Sequence, residues 1–149
     1  MKTLHSTVTW DSGMAFTAEQ DGHTFTLDAE PEHGGTDRGV RPKPLVLTAV
    51  LGCTGMDVVA MLKKMRVPIT GLSLASDGDL ADAHPRRYTA IRVRYAFTGP
   101  DGMNTERIRR AVHLSTEKYC GVIDTLRGTV PLSYEITINE APVPLWAET

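Results

Sequence analysis

Several features are scarce or missing in this sequence, and each gap removes a class of explanation. Only two cysteines occur in 149 residues, Cys53 and Cys120, 67 positions apart. They cannot staple a small secreted scaffold, so two thiols in a reducing cytoplasm are the expected setting. Positive charge is equally thin. Sixteen Lys and Arg stand against eighteen Asp and Glu, without the dense basic stretch that coating a phosphate backbone needs, so nucleic acid is not an expected partner. The start, MKTLHSTVTWDSG, turns polar after Leu4 and lacks the apolar centre of a signal peptide. His5, His23, His33, His84 and His113 form no i,i+4 pair and no HExxH, so the spacing predicts no metal site. Gly34, Gly35 and Gly71 make no phosphate-binding fingerprint, and His113 with Ser115 is a poor catalytic pair because residues two apart on a helix face apart. No cofactor is expected.

What is present is one domain's worth of core: 41% of the residues are hydrophobic, enough for a single domain over 1–149. Residues 4–29 alternate, with Val8 and Trp10, Met14 and Phe16, Phe25 and Leu27 separated by Thr, Glu and Asp. That is strand periodicity, and Asp11-Ser12-Gly13 and Asp21-Gly22 supply tight turns, which predicts a three-strand meander. Residues 30–44 hold three Pro, three Gly and six charges without period, a loop long enough to be functional or mobile. Arg38 and Arg41 lie in it.

Residues 45–62, LVLTAVLGCTGMDVVAML, carry a single charge, Asp57, before Lys63, Lys64, Arg66 and Pro68. Pro44 suits a first helical turn, the cations suit the last, and Pro68 forbids continuation, so a helix over 45–66 is predicted. Its polar flanks, Asp57 and two glycines argue against a membrane span. Met56, Met61 and Met65 recur near helical spacing, as core methionines do. A helix apolar on nearly every side exceeds what a few short strands can cover, and dimerisation around it resolves the imbalance.

Strands are expected within 69–98, as ITGLSLAS and YTAIRVRYAFT joined by a polar connection. The second places Ile91, Val93, Tyr95 and Phe97 on one face and Arg92 and Arg94 on the other. Helices follow over 104–127, with Asn104 as cap, Ile108, Ala111, Val112 and Ser115 inward, and Gly128 as a left-handed stop. Residues 131–140 alternate as a last strand. The order βββ-α-ββ-αα-β is α+β. The tail with Pro142, Pro144 and Trp146 is expected to lie across a partner subunit.

Pro42-Lys43-Pro44-Leu45 leading to a mid-helix Cys53, then Lys118-Tyr119-Cys120 opening a short helix, within that element order, resembles the OsmC/Ohr family of hydroperoxide-reducing proteins. The resemblance spans essentially the whole chain. It implies an intertwined homodimer with long buried central helices wrapped by antiparallel sheets. It also implies a peroxidatic Cys53 and a resolving Cys120 that close a disulfide reduced by an external dithiol, acting on organic hydroperoxides or hydrogen peroxide. In the family an Arg from the loop before the long helix attends the sulfur, and here Arg38 and Arg41 are the candidates. A Glu holds that Arg from about ten positions before the Cys, where this chain has Lys43. Asp57, one turn after Cys53, shares its helix face, as partner to an Arg or as a like charge that opposes ionisation of the thiol. The neighbours of Cys120 alone, an ammonium at Lys118 and free helix N–H groups, predict a lowered thiol pKa. The alternatives are a dimeric binder of small or acyl ligands with the same fold and no useful peroxidase activity, and a structural protein with two inert thiols.

Overall fold

A computed structural model describes residues 1–145, in two compact units, Met1–Val46 and Leu47 onward. The first is the predicted meander: β1 (Thr7–Ser12), β2 (Ala15–Gln20) and β3 (His23–Leu27), paired antiparallel in that order. Its turns sit where positive φ is available, at Gly13 (56°) and at Asp21 and Gly22 (51° and 80°), the backbone a tight hairpin requires. Ala15 and Ala18 are buried, whereas Val8, Trp10, Met14 and Phe25 stand exposed. The loop that follows is pinned rather than loose. The buried Asp28 carboxylate accepts hydrogen bonds from the backbone N–H groups of Ala29, Thr36 and Arg38 (2.8, 3.2 and 3.0 Å) and from the Thr36 hydroxyl (3.1 Å), and Val40 returns to bridge Leu27.

The long helix α1 runs Pro42–Lys64, three residues earlier than predicted, because Pro42 as well as Pro44 can occupy a first turn whose N–H groups have no intrahelical acceptor. Its buried positions Val50, Thr54, Val58 and Leu62 recur every four residues and form one stripe. Gly55 meets the sheet so closely that a Cβ there would lie 3.2 Å from Leu74 Cδ1. Met56 and Val59 stay 77% and 48% exposed, and with Leu51, Gly52, Leu72 and Leu74 they line a shallow apolar groove of about 500 Å³.

The second unit's sheet has the order β4 (Gly71–Leu80), β5 (Tyr88–Thr98), β6 (Leu132–Ile138), β7 (Ala141–Val143). Ile91, Val93, Tyr95 and Phe97 are buried as predicted. β4 is longer than its apolar letters suggested. Asp77 and Asp79 on its wet face pair with Arg94 (2.5 Å) and Arg92 (2.6 Å) of β5, so what reads as a polar connection is strand. β5 and β6 run parallel, whereas antiparallel sheets were expected. The helices between them supply the crossover that a parallel pair needs.

Those helices are α2 (Thr105–Leu114), a π-helical turn (Ser115–Tyr119) and α3 (Gly121–Leu126). Asn104 caps α2 by accepting the Arg107 N–H at 3.0 Å, and Gly128 adopts φ +80°. The tail forms β7, and the Pro144 carbonyl accepts from Arg109 at 2.7 Å. Trp146, expected to reach a partner, lies outside the described residues.

Candidate active site: two thiols and a carboxylate

Cys53 and Asp57 share a face of α1 because four residues make about one helical turn. Cys120 arrives from the other side of the sequence as the N-cap of α3. The Sγ atoms of Cys53 and Cys120 and a carboxylate oxygen of Asp57 all lie within 4.8 Å of one another. Both thiols are free; Cys53 is half-buried and Cys120 is 2% exposed.

Cys120 Sγ accepts the Ile123 N–H at 3.5 Å, the helix-start contact that the sequence suggested would acidify it. The net effect is the reverse. Burial pushes the Cys120 thiol up to about 11, the Ile123 N–H pulls it down, and neighbouring Cys53 raises it further; desolvation of a thiolate outweighs one weak hydrogen bond. Lys118 is not spent on the sulfur: its ammonium sits over the Tyr119 ring, 5.4 Å from the centroid.

A chain of buried hydroxyls backs the carboxylate. Ser115 donates to Asp57 Oδ2 at 3.0 Å, and its Oγ lies 2.7 Å from Thr54 Oγ1, which in turn lies 2.7 Å from the Tyr95 hydroxyl. An ionised carboxylate only accepts, so the donors run in one direction: Tyr95 to Thr54, Thr54 to Ser115, Ser115 to Asp57. Burial holds the Tyr95 phenol above its usual range, which keeps it a donor. On the open side Asp57 lines a cleft of about 410 Å³ with Ala60, Met61, Lys64, Met65, Leu114 and Tyr119.

The two arginines are held inside the N-terminal unit. Arg38 reaches Ser12 Oγ at 3.2 Å and lies 3.7 Å from Asp28. Arg41 is clamped by Asp37 (2.7 Å), Glu30 (3.2 Å) and the Gly39 carbonyl (2.7 Å). The carboxylates on Arg41 therefore come from Glu30 and Asp37, and not from position 43. Sequence reading missed these two, and it set Ser115 aside because it looked for a catalytic dyad rather than a hydroxyl relay. A buried Ser, Thr and Tyr on three elements leave no spacing signal.

The family model described as OsmC-like protein matches residues 34–135. The protein YhfA of Escherichia coli K12 is 32% identical over 136 residues, covering 89% of this chain and 98% of its own. Among solved structures, a hypothetical protein from Aquifex aeolicus superposes with TM-score 0.78 at 26% identity over 93% of this chain and 98% of its own. An organic hydroperoxide resistance protein OsmC from Legionella pneumophila shares the fold with TM-score 0.68 at 17% identity, over 92% of this chain and 98% of its own. With the family match over most of its length, and a relative that it spans almost completely, this chain belongs to the OsmC-like protein family.

Proposed function

We propose that the protein is a thiol peroxidase that reduces organic hydroperoxides or hydrogen peroxide in the reducing cytoplasm. The observation that carries this reading is the meeting of Cys53 and Cys120 within 4.8 Å despite their separation in sequence. Cys53, the more accessible sulfur, attacks the O–O bond as thiolate, takes one oxygen as sulfenic acid and releases the alcohol or water. The Cys120 thiol then attacks the sulfenic sulfur, a disulfide forms and water leaves, and an external dithiol returns both thiols. Arg41, its guanidinium fixed by Glu30 and Asp37, is proposed over Arg38 as the cation that supports the Cys53 thiolate.

The working unit in this reading is a homodimer. The groove along Gly52, Met56 and Val59 and the exposed Val8, Trp10 and Met14 are apolar surface of the kind that a second copy covers. Intact mass after one equivalent of cumene hydroperoxide tests the chemistry. The parent chain loses about two mass units as the disulfide closes, and Cys120→Ser retains an added oxygen instead. Peroxide consumption by Cys53→Ser at the parent's rate overturns the proposal.

Asp57 favours a second reading, because its carboxylate oxygen within 4.8 Å of both sulfurs makes the site a polar anchor as readily as a redox centre. The fold then serves as a dimeric binder of small apolar or acyl ligands. Thermal stabilisation by fatty acyl compounds, without any thiol oxidation, distinguishes it.

A further inference from the structure

Cys53, Asp57 and Cys120 present two sulfurs and a carboxylate oxygen to one point, and among the described residues Asp57 makes no ion pair. Three groups that each become anionic, converging where Asp57 has no ion-pair partner among the described residues, ask for a positive charge between them. Zinc ligation, with Zn–S about 2.3 Å and Zn–O about 2.0–2.2 Å, places the ligand atoms of a tetrahedral site roughly 3.3–3.8 Å apart. The three atoms here lie within 4.8 Å of one another, so side-chain rotation of about an ångström closes the set. Two soft thiolates exclude magnesium and calcium and select zinc or a metal like it.

A second feature points the same way. A ligating carboxylate is held by outer hydrogen bonds that fix its orientation, and Asp57 Oδ2 has such a hold from Ser115, itself locked to Thr54 and Tyr95 in the core. Asp57 also lines the cleft along Met61, Lys64, Leu114 and Tyr119, and a water entering from that cleft is the fourth ligand in this proposal.

We infer that the reduced protein holds one zinc ion between Cys53, Asp57 and Cys120. Binding displaces two thiol protons, and it excludes the disulfide, since both sulfurs are then occupied. The histidine spacings gave no sign of this site because it uses no histidine and pairs one helical turn with a residue more than sixty positions on. The inference does not rest on the peroxidase reading and is measured without peroxide.

The test is titration of the reduced, metal-stripped full chain with zinc chloride under argon, and with cobalt chloride as a spectroscopic probe. The expected result is one zinc per chain, two protons released, and a thiolate-to-cobalt charge-transfer band. Cys53→Ser or Cys120→Ser weakens the band, and the preformed disulfide abolishes binding. Asp57→Asn keeps both thiols, so it separates this site from chelation by a bare dithiol. It retains the band and loses affinity by about tenfold or more, in the range that perturbing a ligand's shell costs. Ser115→Ala, which leaves all three ligands in place, loses affinity in the same direction. Failure of the parent chain to bind zinc, or Asp57→Asn binding as tightly as the parent while circular dichroism shows both folded, overturns the inference.

Discussion

Ser115 donates its hydroxyl hydrogen to Asp57 at 3.0 Å across 58 positions of sequence, and that one bond ties the turn after α2 to the middle of α1. Truncation to Ser115→Ala leaves the fully buried Thr54 hydroxyl without its acceptor. Because an orphaned buried polar group costs about 1–3 kcal/mol, the free energy of unfolding is expected to fall by that amount, read as a lower urea midpoint with an unchanged slope. A midpoint equal to the parent's contradicts the relay.

The two thiols are expected to label in order. With Cys120 2% exposed and its thiol pushed up to about 11, iodoacetamide at pH 7.5 modifies Cys53 first, and Cys120 follows only as denaturant is added. Peptide mass mapping of a timed quench checks this, and early modification at Cys120 refutes it.

Acid stability turns on Asp28. The Arg38 backbone N–H, with further bonds from Ala29 and Thr36 against an opposing desolvation penalty, lowers its pKa from 3.8 to about 2. A carboxyl depressed in the folded state contributes stability that is fully present above about pH 4 and is lost as pH falls through 2. In a urea series from pH 6 to pH 2, Asp28→Asn is expected to be weaker than the parent at neutral pH and to lose less than the parent between pH 4 and 2. Parallel curves sink the assignment.

The second unit's sheet is held by its dry face. Phe97 is fully buried, and Phe97→Ala is expected to cost about 3–5 kcal/mol. The Asp77–Arg94 and Asp79–Arg92 pairs are roughly half-exposed, so Asp77→Ala shifts the midpoint far less, and raising salt shrinks its effect further. Equal losses from the two variants refute this division.

Assembly is tested on the bare side of α1. Nothing lies within 4 Å of a Cβ added at Gly52, and Met56 is largely exposed, so Met56→Lys leaves a single chain folded. In sedimentation velocity it is expected to shift a dimer toward the lone chain, whereas an unchanged dimer removes this face from the interface.

Much of this was legible in the letters, for local reasons. Alternation marked the meander and β5, Asn104 and Gly128 marked their caps, and the density of apolar residues marked α1 before any contact was known. β4 was misjudged at its end because Asp77 and Asp79 look like a loop until Arg92 and Arg94 stand opposite. Cys120 was judged by its sequence neighbours, Lys118 and the helix start, whereas its ionisation is decided by burial that only tertiary packing creates. Ser115, Glu30 and Asp37 were passed over for the same reason: each gains its role from a partner that no spacing announces.

The wide turn over Ser115–Tyr119 closes with the Cys120 N–H on the Ser115 carbonyl at 2.9 Å, and it acts as a splice in the rotation of the chain. Five residues along an ordinary α-helix carry a side chain about 140° away from where it began. Winding the same five into a broader loop returns the chain to nearly its starting azimuth, so the serine oxygen and the sulfur aim at the same neighbouring helix. Excising one residue there would restore common helical pitch and still leave the sulfur about 40° from the serine's azimuth, since four α-helical residues turn the chain by about 400°. The surplus amino acid is therefore taken up by the broader turn, and the two side chains keep a common bearing.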